Sequence, residues 1–185
     1  MGSPGQSMDN IIVFDIETRR AISKVGGAHH LDRLGLSVAV AYEVATGKFH
    51  HFEEAQVAEL LDLLQRATLL VGYNIRRFDL TVLQPYSQEP LHALPTCDLM
   101  VDIQRQIGHR VRLDNVAQQT LGIRKSADGM QALLWWRQGK LDLIHDYCQQ
   151  DVDVTRRIWE YGRAHGHIWL WSRQQRARRP VPVCW

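Results

Sequence analysis

Residues 10–18 read Asn-Ile-Ile-Val-Phe-Asp-Ile-Glu-Thr. Ile11 to Phe14 is an apolar, mostly β-branched run, and Asn10 to Ile16 therefore reads as a buried strand. Two acidic residues interrupt its end. Side chains two apart on a strand face the same way, with Cα atoms about 6.6 Å apart. Asp15 and Glu17 thus stand side by side where the strand leaves the core. Such a pair repels and loses hydration, so it calls for a cation or strong donors. Alone, an acidic pair is explained as readily by a solvated strand end.

Around this strand the chain divides cleanly. Leu36–Val44 and Lys48–Phe52 read as two more strands joined by a turn at Ala45-Thr46-Gly47. Ala55–Arg66 has apolar residues at 57, 60, 61 and 64, a helical spacing. Thr68–Gly72 reads as a strand and Phe78–Leu83 as a helix. Pro85, Pro90 and Pro95 mark a loop. Helices are expected over Asp98–Ile107, Leu113–Leu121, Met130–Gln138 and Leu141–Tyr161, with a polar loop at Gly122–Gly129. The last helix carries one stripe of Leu141, Ile144, Cys148, Val152, Thr155 and Trp159. His167–Ser172 and Val181–Trp185 read as terminal strands joined by a basic turn, the second at an edge because of Pro180 and Pro182. The fold class is α/β with a mixed central sheet flanked by helices and a C-terminal β-hairpin. Residues 10–185 read as a single domain, with 166–185 its basic, aromatic hairpin. Residues 1–9 (MGSPGQSMD) read as a disordered end or a cloning remnant.

The 185 residues are 45% hydrophobic and 23% charged, a globular composition. No apolar run approaches the 18 or so residues of a membrane span, and no signal peptide is legible. Three distant cysteines, Cys97, Cys148 and Cys184, form neither a disulfide framework nor a zinc pattern, so a cytoplasmic setting is expected. The net charge of +2 hides an asymmetry. No acidic residue follows Glu160, whereas Arg163, Arg173, Arg176, Arg178 and Arg179 do; residues 1–160 carry a net −3. An acidic body with a basic end suits a nucleic-acid enzyme, though charge alone decides little.

Two further carboxylates complete a constellation. Gly72-Tyr73-Asn74-Ile75-Arg76-Arg77-Phe78-Asp79 runs from a strand end through a turn and sets Asp79 near a first helical turn. Complementing the helix dipole would by itself explain it. In Tyr147-Cys148-Gln149-Gln150-Asp151, positions i and i+4 share a helical face, so phenol and carboxylate point together. Asp151 also borders the apolar stripe, where a carboxylate is costly unless paired or metal-bound.

FDIET, NIRRFD and YCQQD, in that order, resemble the three motifs of the DnaQ-like, ribonuclease H-fold 3′–5′ exonucleases. More narrowly they resemble the DEDDy subgroup, over roughly residues 10–163. Stretches such as Val25-Gly26-Gly27, Leu36–Val40 and Lys125–Gly129 are similar to bacterial exonuclease-like domains found alone or attached to helicases. In the histidine subgroup the base precedes the last Asp by five residues, a position held here by Asp146. Tyr147, at minus four, fits the tyrosine subgroup. His145 lies further back on another face of the helix.

The resemblance implies two divalent cations, Mg²⁺ or Mn²⁺, of the kind that carboxylate oxygens suit. It implies that Asp15 bridges both, that Glu17 and Asp151 complete one site, and that Asp79 serves the other. Tyr147 would orient or deprotonate the attacking water, orientation dominating for a phenol of pKa about 10. Thr18, Asn74 and Phe78 would hold the terminal nucleotide, with Arg112 and Lys125 as phosphate contacts. The implied activity releases nucleoside 5′-monophosphates from a 3′ end of single-stranded DNA or a frayed duplex end, with RNA close behind. A helicase partner is a further expectation. An RNA 3′-trimming enzyme and a non-catalytic nucleic-acid-binding module are the alternatives; all five filled motif positions count against the latter.

Other features read as packing or surface. Adjacent histidines (His29-His30, His50-His51) diverge on regular structure and make poor chelates. Trp135, Trp136 and Trp159 are expected to pack. Trp169, Trp171 and Arg173 would share a hairpin face able to stack bases, but burial as core is the favoured expectation for the two tryptophans.

Overall fold

The first strand, β1 (Ile11–Thr18), sends alternate side chains into two separate cores. The computed structural model describes residues 10–124, 129–172 and 175–185. On one side, Ile12, Phe14 and Ile16 pack with Leu60, Leu61 and Leu64 of α1 (Val57–Gln65) and Leu80 and Leu83 of α2 (Asp79–Leu83). On the other side, Val13 joins Ile144, Cys148, Val152 and Trp159 of α6 (Leu141–His165). Asp15 and Glu17 have the parity of Val13, so the acidic pair faces α6. Full burial of each large side chain contributes about 1.5–3 kcal/mol, which holds β1 firmly in the middle of the sheet.

The sheet runs β3-β2-β1-β4-β5. β2 (Leu36–Glu43) is antiparallel to β1 and to β3 (Lys48–Glu53), whereas β4 (Leu69–Gly72) and β5 (Thr96–Asp98) run parallel to β1. This mixed sheet flanked by helices is the ribonuclease H-like arrangement implied above. The β1–β2 register shifts between Glu17 and Thr18, where Glu17 faces Val38 and Thr18 faces Leu36. Ser37 is thus an extra residue, and such a bulge re-aims side chains at a strand end.

Three helices finish the α6 side: α3 (Leu99–Ile107), α4 (Leu113–Leu121) and α5 (Gly129–Arg137). β5 corrects the expectation of unbroken loop after Pro85: three residues following Pro95 suffice to pair with β4, too few to show a period. The hairpin needs a larger correction. Its second strand, β7, is Ala177–Pro182 rather than 181–185, so Arg178 and Arg179 lie within the strand. In a two-stranded sheet with β6 (His167–Ser172) each strand is an edge, and Pro180 and Pro182 are accommodated.

The tryptophans correct a second expectation. Ile168, Leu170 and Val181 are the hairpin's buried residues, while Trp169 is half-buried and Trp171 is 46% exposed. β6 therefore turns its aliphatic face inward and its indoles outward. The chain end closes the domain instead: Trp185 lies on Gly162, where an added Cβ would collide with the indole and with Val183. Among the described residues, no helix is long and apolar enough to cross a membrane.

Candidate active site

β1 delivers Asp15 and Glu17, and α6 lays Asp151 over them, so that ligand oxygens of the three lie within 4.8 Å of one another. Six oxygens about 2.1 Å from one octahedral ion are separated by about 3–4 Å, a spacing that this all-oxygen group can adopt. Cys148, one turn before Asp151, is buried against the same strand. Its thiol lies 3.3 Å from the Asp15 carbonyl oxygen and 3.7 Å from Asp15 Oδ2. Burial pushes the thiol's pKa up, followed by the charges of Asp15 and Glu17, so it stays a protonated, weak donor. It fastens the helix to the strand that carries the acids.

Tyr147 sits where the i, i+4 spacing places it. The phenol hydrogen-bonds Asp151, and its ring meets Trp135 edge-on at 6.3 Å. Burial, then the charges of Asp151 and Glu17, raise its pKa far above the usual tyrosine value. His145 points elsewhere: its Nδ1 is 3.3 Å from His51 Nδ1 and its Nε2 is 3.9 Å from Glu53. The structure thus brings the tyrosine, and not this histidine, to the acids.

Asp79 approaches from the opposite edge of β1. The ladder with β4 ends at Val13, and beyond it Asp79 Oδ1 accepts the Ile16 N–H at 3.1 Å. Asp79 is buried, and desolvation, then the charge of Asp15, holds its carboxyl well above the ordinary range. It lies beside Asp15 but outside the group formed by Asp15, Glu17 and Asp151.

The turn delivering Asp79 is built by a residue that the motifs did not single out. Gly72 is required by close approach, because a Cβ there would strike the Ile75 side chain and crowd the Phe14 carbonyl. Asn74 has φ 71°, a left-handed conformation that Asn tolerates. Buried Asp98 holds both ends of the turn: Oδ1 accepts the Asn74 N–H at 2.8 Å and Oδ2 the Arg76 N–H at 2.9 Å. It also caps α3 by accepting from Val101 N–H at 3.3 Å. The sequence placed Asp98 at the start of a helix; its role as cap and its hold on a turn 24 residues back come only from the folded structure.

A cleft of about 410 Å³ opens over Asp15 and Asp151, and Tyr73, Asn74, Arg110 and Arg112 are among its walls. Arg110 donates to Asn74 Oδ1 at 3.0 Å and the Tyr73 hydroxyl donates to the Val111 carbonyl at 2.7 Å, fixing that wall. Arg110 and Tyr73 were not anticipated, because only tertiary contact links them to the motif. Arg112 lies at the cleft, exposed and paired with Asp114 at 3.4 Å. Thr18 Oγ1 donates to the Arg20 carbonyl at the strand end. Phe78 packs against the α1-side core and is not among the cleft residues. Lys125 lies outside the described residues.

Residues 12–163 match the family model RNase_H_2, described as the RNase_H superfamily. Among curated proteins, none matches the sequence.

Proposed function

The chain belongs to the RNase_H superfamily, and from that membership we propose a metal-dependent 3′–5′ exonuclease of the DEDDy kind. Its substrate is single-stranded nucleic acid, DNA before RNA, and its product nucleoside 5′-monophosphates. The observation that carries the reading is the convergence of Asp15, Glu17 and Asp151 on one point, with Tyr147 hydrogen-bonded to the last of them.

Asp15, Glu17 and Asp151 would hold one divalent cation, and Asp79 with Asp15 a second; Mg²⁺ and Mn²⁺ suit an all-carboxylate donor set. When bound, the two ions make water acidic enough to attack at neutral pH and stabilise the leaving oxygen. The residues do the rest. Tyr147 acts as a neutral hydroxyl, since a phenol of ordinary pKa about 10 keeps its proton at neutral pH, and it orients the attacking water by hydrogen bonding. Arg110 and Arg112 meet phosphates at the cleft wall, where bidentate guanidinium contacts fix position. Asn74, held by Asp98 and Arg110, presents a rigid polar edge to the terminal nucleotide.

The test uses matched deoxy and ribo strands of one sequence, each with a free 3′-hydroxyl or a 3′ block. Mg²⁺ or Mn²⁺ is supplied and the products are separated by chromatography. The reading expects 5′-monophosphates from unblocked strands, with the deoxy strand consumed faster. Internal cuts in blocked strands, or products carrying a 3′-phosphate, would overturn it.

A further inference from the structure

The hairpin's outer face has no task in the site just described. Across it Trp171 lies opposite Arg178 and Trp169 opposite Pro180. Opposed residues share a face, so the two indoles and Arg178 stand together outside while Ile168, Leu170 and Val181 face the core. The Arg178 guanidinium carbon sits 4.3 Å from the centre of the Trp169 ring, and the His167 ring meets that indole at 5.4 Å. Exposed Arg176 adds a second cation, and no carboxylate follows Glu160 anywhere in the sequence.

The edge of this hairpin meets the helix that borders the cleft. Asn115 Oδ1 accepts the Trp171 N–H at 2.9 Å and Thr120 Oγ1 accepts the Trp169 N–H at 3.0 Å, so α4 covers the free edge of β6. Asn115 directly follows Asp114, which together with Arg112 lines the cleft. Flat aromatic faces interleaved with arginines, running away from a cleft that takes phosphates, match one occupant by charge and shape: a polynucleotide with unpaired bases. In a duplex the bases are already stacked on each other.

We propose that the outer face of the β6–β7 hairpin is a track for the single strand 5′ to the nucleotide in the cleft. A base stacks on exposed Trp171, and phosphates meet Arg176 and Arg178, the latter carried on the Trp169 ring. This rests on the exonuclease reading above.

The test measures affinity by fluorescence anisotropy in EDTA, where strands stay intact, for single strands of about four and about twelve nucleotides, deoxy and ribo. The full chain is compared with Trp171→Ala, Trp171→Phe and Arg178→Ala, each checked for unchanged thermal unfolding. The expected result is a wild-type affinity that rises with length. Trp171→Ala and Arg178→Ala each lower affinity for the longer strand about tenfold, as loss of one stacked base does, and Trp171→Phe restores most of it. Arg178→Ala also flattens the salt dependence. Loss with either sugar supports the track.

Longer strands bound equally by all four proteins, while Mn²⁺-dependent shortening proceeds, would overturn the track and leave the exonuclease standing. Length-dependent binding that needs Trp171, without shortening under Mg²⁺ or Mn²⁺, would overturn the exonuclease instead. Neither binding nor shortening would overturn both.

Discussion

Tyr147 separates two roles that a crowded acidic site tends to merge. If the phenol positions water while carboxylates hold cations, Tyr147→Phe keeps fold and metal affinity, because the ring and its contact with Trp135 remain. Its single-turnover rate at saturating metal is expected to fall about 10²–10⁴-fold. Asp151→Asn removes a ligand and should weaken metal binding in calorimetric titration, with partial recovery at high Mn²⁺. His145→Ala should do little, since that ring faces His51 and Glu53. A wild-type rate for Tyr147→Phe with collapse for His145→Ala would show the wrong residue beside the water. Asp79 supplies a pH test. Its folded pKa is raised by burial and by Asp15, so its stabilising effect is complete below the unfolded value of 3.8 and is lost as pH rises through the folded pKa. In EDTA, wild-type stability relative to Asp79→Asn should therefore decline as pH rises from about 4, since Asn mimics the protonated acid. Parallel profiles in thermal unfolding would remove Asp79 from that account.

At the scale of elements, the turn after β4 depends on Asp98. Asp98→Ala removes the buried acceptor of the part-buried Asn74 and Arg76 N–H bonds, worth up to about 1–3 kcal/mol each, and loses the α3 cap, worth about 1 kcal/mol. The expected result is a clear fall in unfolding midpoint together with lost activity, because Asp79 is no longer held against Ile16. An active, fully stable variant would contradict this. Here the limits of the sequence are plain. The motif spacing located Asp15, Glu17, Tyr147 and Asp151, because strand and helix periods state directly which neighbours share a face. Asp98 and Arg110 reach Asn74 from 24 and 36 positions away, and no local period encodes that. The hairpin shows a related limit. Alternation in His167–Ser172 said that the indoles share a face, but not that Ile168 and Leu170 would take the inside. The arginines of β7 looked like a turn because their strand partner lies across the hairpin.

At the scale of the whole molecule, the sheet order places β1 at the centre, antiparallel to β2 on one side and parallel to β4 on the other. Its acids thus emerge beneath α6, beside the Asp79 turn and under the cleft. Several elements meet there, and on the proposed reading divalent cations would offset their like charges. The most direct measurement is a time course on a 5′-labelled single strand, with Mg²⁺ or Mn²⁺ and after EDTA treatment and metal-free dialysis, for wild type and Asp15→Asn. The account predicts a ladder shortening one nucleotide at a time from the 3′ end, abolished by cation removal and by the substitution. Undiminished shortening without divalent cations, or an intact strand with both of them present, would contradict it.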